Sequence, residues 1–308
     1  MSRFFMVAEP QNHEEPTIAE VLTLLSDLRL FGLAKKTKAE EEAFLAQPLS
    51  AVNQVIVGVE GISHRGLEVS FNKETRFWVV RAYAPSSPND WAVCVAVLKA
   101  LVRRTGNPIY TDRGDEAYTD DTIEAYPWEA AIEEGLTMVK ERLANNPNTR
   151  LYLSGVQRDI SVSLAWFEAI MEQPNPVKAF GLACEQAQYP DGIVAEQNFY
   201  YQANPNEVIG LYAVGLGLPM VLPYQLFVEV KNQSALHDKT ITGWFLRVAV
   251  NDGGTWTPCL EVPYVTFLTW LPKEKRTYID ATHMRVEALN AEDVKSLQAF
   301  AYPEGAQA

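Results

Sequence analysis

Cysteine and histidine are scarce in this chain. Three cysteines, Cys94, Cys184 and Cys259, stand far apart in 308 residues. An odd number at wide spacing excludes a disulfide framework, and low cysteine use fits a reducing compartment. Cys94 falls in an apolar run of helical period, where a thiol behaves as a small hydrophobe. The four histidines, His13, His64, His237 and His283, form no pair at helical spacing. HExxH and CxxC are both missing, which removes the common zinc sites, and His13-Glu14-Glu15 reads as a solvated polar run. The phosphate loop GxxxxGK[ST] and the GxSxG nucleophile elbow are absent as well. Gly215-Leu216-Gly217 opens like a dinucleotide fingerprint, but the third glycine is missing and Pro219 follows, so a turn is expected. No cofactor, no metal and no catalytic residue is assigned.

Basic residues are also in short supply. Lys and Arg number 26 against 39 Asp and Glu, a formal net charge of −13. The excess is shared by both halves, and the longest basic clusters are Lys35-Lys36-Thr37-Lys38 and Arg103-Arg104. Such a surface repels a phosphate backbone, so nucleic acid and anionic membranes are excluded as expected partners. A basic protein is electrostatically allowed. The first residues, MSRFFMVAEPQNHEEP, lack the apolar core of a secretory signal, and a cytoplasmic location is expected. Residues 208–228 carry no charge and have the length of a membrane span. They also contain Gly210, Gly215, Gly217, Pro219 and Pro223, so two buried strands about a Gly/Pro turn are expected instead.

What is present reads as an α+β protein with antiparallel sheets and packed helices in two β/α subdomains. Ile18, Val21, Leu22, Leu25 and Leu28 keep a helical period after Pro16, and Gly32 can stop that helix. A short helix is expected over 38–46. The period then becomes two over 54–59, 66–71 and 76–83, a meander of three strands. Ser86-Ser87-Pro88-Asn89-Asp90 supplies cap, proline and acid for a helix over 88–104, closed by Arg103, Arg104 and Gly106. This is a β-β-β-α unit. A further helix is expected over 127–144. The break Asn145-Asn146-Pro147-Asn148 places a boundary between an N-terminal domain, 1–147, and a strand-rich C-terminal domain, 148–308. In the latter, strands are expected over 150–156, 196–202, 207–214, 225–230, 242–250, 264–270 and 276–279. Helices are expected over 163–172, ended by Pro174 and Pro176, and over 291–299. No βαβ rhythm and no fixed repeat is visible.

Two places stand out as candidate binding sites. His64-Arg65-Gly66 lies in a polar turn between two expected strands; it reads as an exposed hairpin tip that binds a partner, or as a turn whose glycines permit unusual φ. From Asp112 to Glu134 there are nine acids, Asp112, Asp115, Glu116, Asp120, Asp121, Glu124, Glu129, Glu133 and Glu134, against the single base Arg113. Three readings compete there: a solvated loop with acids favouring a helix N-terminus, a docking surface for a basic protein, and a divalent-metal site without EF-hand spacing.

The stretch holding Gly58, Gly61, Arg65-Gly66, Tyr83, Pro85-Ser86 and Asp90-Trp91 resembles a bacterial family of unknown function with chains of similar length. These are structural positions, and the resemblance implies no catalytic residue. The sheet-plus-helix pattern is also similar to some immunity proteins of bacterial toxin systems, which are often acidic and cytoplasmic. Together these features point to a non-catalytic acidic protein that docks a basic protein. The alternatives are a hydrolase with a dispersed site in which a histidine meets a carboxylate or Cys184, and a small-molecule-binding or oligomeric protein using Phe199, Tyr200 and Tyr201. No oligomeric state is assigned.

Overall fold

A strand that the sequence reading passed over organises the first half of the chain. In the computed structural model, which describes residues 2–32 and 37–302, residues Arg3–Ala8 form strand β1. Phe5 and Val7 are buried on its inner face, the two-residue period of a half-buried strand. Lys35 and Lys36 of the expected basic cluster lie outside the described residues. Helix α1 spans only Ile18–Leu22 and does not run on to Gly32. The chain then turns into β2, Leu28–Phe31, where Leu28 is buried and pairs with Val59. Pairing with a sheet edge overrides the helical period there. Helix α2 follows, Lys38–Leu45.

The β-β-β-α unit is present as β3 (Val55–Val59), β4 (Leu67–Asn72), β5 (Phe77–Ala82) and α3 (Pro88–Thr105). Strands β6 (Ile109–Thr111) and β7 (Gly114–Tyr118) occupy what read as an acidic loop. The seven strands form an antiparallel sheet in the order β2-β3-β4-β5-β1-β6-β7. Helix α3 begins with the capping box of Ser87 and Asp90 and ends at Gly106, φ 69°. It packs on β1 and β5 through Trp91, Cys94, Leu98 and Leu101.

Helix α4 (Trp128–Asn145), the hairpin β8 (Leu151–Leu153) with β9 (Ile160–Val162), α5 (Leu164–Met171) and α6 (Pro176–Gln188) complete this unit. Contacts divide the chain into Met1–Tyr189 and Pro190–Ala308 rather than at 147. The reason is the core: Phe167, Phe180, Cys184 and Ala187 belong to the same buried cluster as Phe5, Trp78 and Leu98. Helix α6 was missed because Pro176 was read as ending a helix. It stands at the first helical position after the Asn175 cap, where proline is favoured.

In the second unit, β10 (Ile193–Val194), β11 (Gln197–Tyr201), β12 (Glu207–Gly215), β13 (Met220–Pro223), α7 (Val230–Leu236), β14 (Thr240–Asp252), β15 (Thr255–Pro263), α8 (Tyr264–Trp270), β16 (Arg276–Tyr278), β17 (His283–Val286) and α9 (Ala291–Ala301) follow in order. Two sheets result, β11-β12-β14-β15 and β10-β13-β17-β16. The pairs β12–β14 and β10–β13 are parallel, where only antiparallel pairing was expected. Residues 208–228 do contain two strands and a turn at Gly217, φ 79°. Among the described residues no helix is long and apolar enough to cross a membrane. No strand forms over 225–230. Residues 264–270, expected as a strand, are helical: Tyr264, Phe267 and Leu271 are buried and Val265 is exposed, a spacing of three and four. Phe199 is partly buried, while Tyr200 and Tyr201 are exposed.

The core membership of α5 and α6 makes a prediction. Each large apolar side chain removed from the core forfeits about 1.5–3 kcal/mol, against a total stability of about 5–15 kcal/mol. Residues 1–189 expressed alone should unfold cooperatively in urea, and residues 1–147 should not. A cooperative transition for 1–147 would contradict the shared core.

Candidate functional site

Asp90 is the third residue of α3 and is almost fully buried. Its Oδ2 accepts hydrogen bonds from the Ser87 hydroxyl at 2.7 Å and the Ser87 amide at 3.3 Å, closing the capping box. Its Oδ1 accepts from three successive backbone amides of the 64–66 turn: His64 at 2.9 Å, Arg65 at 3.1 Å and Gly66 at 3.0 Å. One carboxylate thus caps a helix and clamps a loop between β3 and β4. Gly66 is required in that loop, because its φ is +70° and a Cβ would meet the Val57 carbonyl oxygen at 2.7 Å.

Arg65 is buried, not the exposed tip residue expected. Its Nη1 donates to the Pro85 carbonyl at 2.6 Å and its Nε to the Ser154 carbonyl at 3.0 Å. The guanidinium lies 4.7 Å from the centre of the Tyr83 ring. Tyr83 in turn donates to Glu68 at 2.7 Å, and Arg81 donates to the other oxygen of Glu68 at 2.7 Å. Arg65 brings a positive charge into the same interior as Asp90, so the buried carboxylate is compensated.

His64 is buried too, at 1% exposure. Its backbone is tied on both sides: its amide goes to Asp90, and its carbonyl accepts from Val156 at 3.0 Å. Its neighbour Ser63 has its carbonyl held by the Tyr189 hydroxyl at 2.6 Å. The ring stands 6.3 Å from that of Tyr189, centre to centre, and among the described residues neither Nδ1 nor Nε2 has a hydrogen-bond partner. Desolvation holds the imidazole pKa below its ordinary value, opposed by the charges of Asp90 and Glu185. The ring is therefore neutral at pH 7, with one donor and one acceptor open.

His64 is one of the residues lining a cavity of about 260 Å³, and its ring nitrogens lie closed to solvent behind that wall. The starts of three helices meet around it. Pro88 and Asn89 come from α3, Trp128 and Glu129 from α4, and Asn175, Val177 and Lys178 from the beginning of α6. Further along α6, Gly181, Leu182 and Glu185 complete the wall. Close approach is built in, since a Cβ at Gly181 would stand 3.0 Å from the Pro88 ring. Lys178, Glu129 and Glu185 are exposed and carry no ion pair among the described residues.

The other expected site residues are placed differently. Arg103 binds Asp120 at 2.7 Å, Lys99 pairs with Glu124, and Glu134 binds Arg3 at 2.6 Å and Arg113 at 3.0 Å. Asp112, Glu116 and Asp121 are exposed, and Glu116 accepts from Tyr118 at 3.2 Å. The side chain of Asp115 lies outside the described residues. Among the described residues no group of three His, Cys, Asp or Glu could hold a metal. Cys94 and Cys184 are fully buried, and desolvation pushes both thiols far above their ordinary value, which leaves them inert. The sequence reading missed Lys178 and Glu185 with α6. The pair Asn175-Pro176, a cap followed by a first-turn proline, was the signal that could have found them.

Asp90 should be the most sensitive polar position in the unit. Asp90→Asn leaves Arg65 uncompensated and turns an N–H donor toward amides that need an acceptor. It should cost about 3–5 kcal/mol, read as a lower urea midpoint at unchanged slope. Glu185→Gln, on the cavity wall, should change stability by less than about 0.5 kcal/mol.

No curated protein and no solved structure matches this chain. A family match covers residues 2–297, running through both units and including the 58–91 stretch whose residues carried the resemblance. The chain belongs to the family described as Domain of unknown function (DUF4299).

Proposed function

We propose that this protein is a binding protein whose ligand site is the His64 cavity. One observation carries the reading: a neutral imidazole is buried in the cavity wall with both ring nitrogens unpartnered among the described residues. Leaving a buried polar group open costs about 1–3 kcal/mol. A ligand that accepts from one nitrogen and donates to the other recovers that cost. Binding is favoured over hydrolysis because the wall contains no serine, threonine or cysteine, and no carboxylate is hydrogen-bonded to the ring. The cavity is at the small end of ligand sites, which suits a metabolite-sized molecule.

A second reading has its own support. Asp112, Glu116 and Asp121 are exposed and free of ion pairs among the described residues. They supply an acidic face for a basic protein, as an immunity protein does. Three free thiols agree with a cytoplasmic setting for either reading.

His64→Leu separates a ligand-binding ring from a structural one. At pH 7.5 the variant should lose no more than about 0.5 kcal/mol, because no hydrogen bond is removed. It should also be less acid-sensitive. The unfolded His64 takes up a proton as pH falls below about 6.5, while the folded ring stays neutral to lower pH, so wild-type stability falls through that window. A loss of about 2 kcal/mol or more at pH 7.5 would mark the ring as structural. In binding, the ring resonances of His64 in ¹⁵N-histidine-labelled protein should shift with a cell metabolite extract, and Leu182→Trp at the cavity wall should abolish the shift.

The docking reading is tested by capture at low and high salt. A basic protein should be retained at low salt, and Asp112→Asn, Glu116→Gln and Asp121→Asn together should weaken it about tenfold or more. Equal retention by this triple variant would remove the acidic face from the account.

A further inference from the structure

The cavity offers unpaired charge of both signs on one helix face. Lys178 is in the first turn of α6, and Glu185 follows seven residues later, two turns along the same face. At about 1.5 Å per residue the two positions stand about 10 Å apart along the axis. The first turn of α6 has no acidic residue, so only the neutral Asn175 cap, accepting from the Lys178 amide at 2.8 Å, meets the positive end of its dipole, and Lys178 adds to it. The start of α4 differs, because Glu129 already offsets its dipole. One end of the cavity therefore favours an anionic group. The other end, beside His64, favours a cation: Glu185 and His64 line it together, and an unpartnered ring nitrogen just behind the wall accepts an N–H once the ring turns toward the cavity. Between them, Val177, Leu182 and the half-buried Trp128 supply apolar wall.

We propose that the His64 cavity takes an amino-acid-type zwitterion, a free α-amino acid or a dipeptide. Its carboxylate lies at Lys178 and the first turn of α6, and its ammonium lies at Glu185 and His64. This rests on the cavity being a ligand site. A single charge of either sign uses half of the anchors and leaves a like charge of the wall facing the ligand. A zwitterion satisfies both ends, and an apolar side chain covers Leu182 and Trp128. The unpartnered buried ring sets this cavity apart from an ordinary helix start.

The test uses the full chain with ¹⁵N-labelled histidine, the His64 ring signals being identified by their loss in His64→Leu. The probes are L-leucine, glycyl-L-leucine, 3-methylbutylamine and 4-methylpentanoate; the last two are leucine without its carboxylate and without its amine. Leucine or the dipeptide should shift the ring at concentrations about tenfold below either single-charge probe. Lys178→Ala and Glu185→Gln should each erase that advantage; both positions are exposed, so the fold is kept. Whether leucine or glycyl-leucine wins separates the two sources. An amine or a carboxylate as effective as the zwitterions overturns the proposal. No response to any probe overturns it too, and the metabolite extract then decides the parent reading: a shift with extract keeps the cavity as a ligand site, and silence removes both.

Discussion

The first unit depends on one buried carboxylate. Asp90 collects the amides of His64, Arg65 and Gly66 together with the amide and hydroxyl of Ser87. A carboxylate out of water is tolerated only when its lone pairs are filled and its charge is met. Backbone amides do the first, and Arg65 does the second. The consequence is geometric. A loop between two strands and the start of the longest helix on the sheet are fixed to a single side chain, so the ring of His64 is delivered to a set place beside α3. The same clamp explains why Gly66 is left-handed and why the Arg65 side chain turns inward to the Pro85 and Ser154 carbonyls.

The treatment of the four histidines shows what is unusual about that ring. His13 meets buried Glu9 at 2.7 Å, His237 meets Asp238 at 3.0 Å, and His283 meets Thr282 at 2.8 Å and Asp280 at 3.3 Å. Each imidazole outside the cavity has a partner. His64, the most buried of them, has its backbone bonded while its ring nitrogens have no hydrogen-bond partner among the described residues. Packing alone would be served better by an apolar residue of similar size, since an open polar group in the interior lowers stability. A buried polar group left open is a place where local chemistry and fold disagree, and such places are where functional or strained residues are expected.

How far the sequence was legible follows from which forces are local. The helix at Pro88, its cap at Ser87 and its end at Gly106 are written in neighbouring residues, and so is the three-strand meander. Elements chosen by distant partners were hidden. Leu28 reads as the last apolar position of a helix until β3 offers it an edge, and Tyr264-Val265-Thr266-Phe267 reads as a strand until Tyr264 and Phe267 are buried together on one helical face. The contacts divide the chain after Tyr189, not Pro147, for the same reason: a break in local pattern says nothing about which core Phe167 and Phe180 will join. For the site, the turn holding His64 and Arg65 was legible as a place of interest, but its glycines suggested exposure. That Asp90, some two dozen residues on, would fold the turn inward could not be read from either segment alone.

The acidic excess takes on a different meaning once the ion pairs are placed. Near the sheet edge, Asp120, Glu124 and Glu134 are used within the fold, tying the 112–134 segment to α3 and β1 through Arg103, Lys99 and Arg3. Composition counts those acids as surface charge, whereas the structure uses them as fasteners, each modest by itself in water. Around the cavity the situation is reversed. Among the described residues, Lys178 and Glu185 stand unpaired on α6, capped by Asn175 and held close to Pro88 of α3 at Gly181, and Glu129 stands unpaired in the first turn of α4. Charges fixed on rigid elements and left without internal partners keep their full interaction for something else. The chemistry of this protein is therefore better sought where few charges are free and well placed than where many are crowded and already bound.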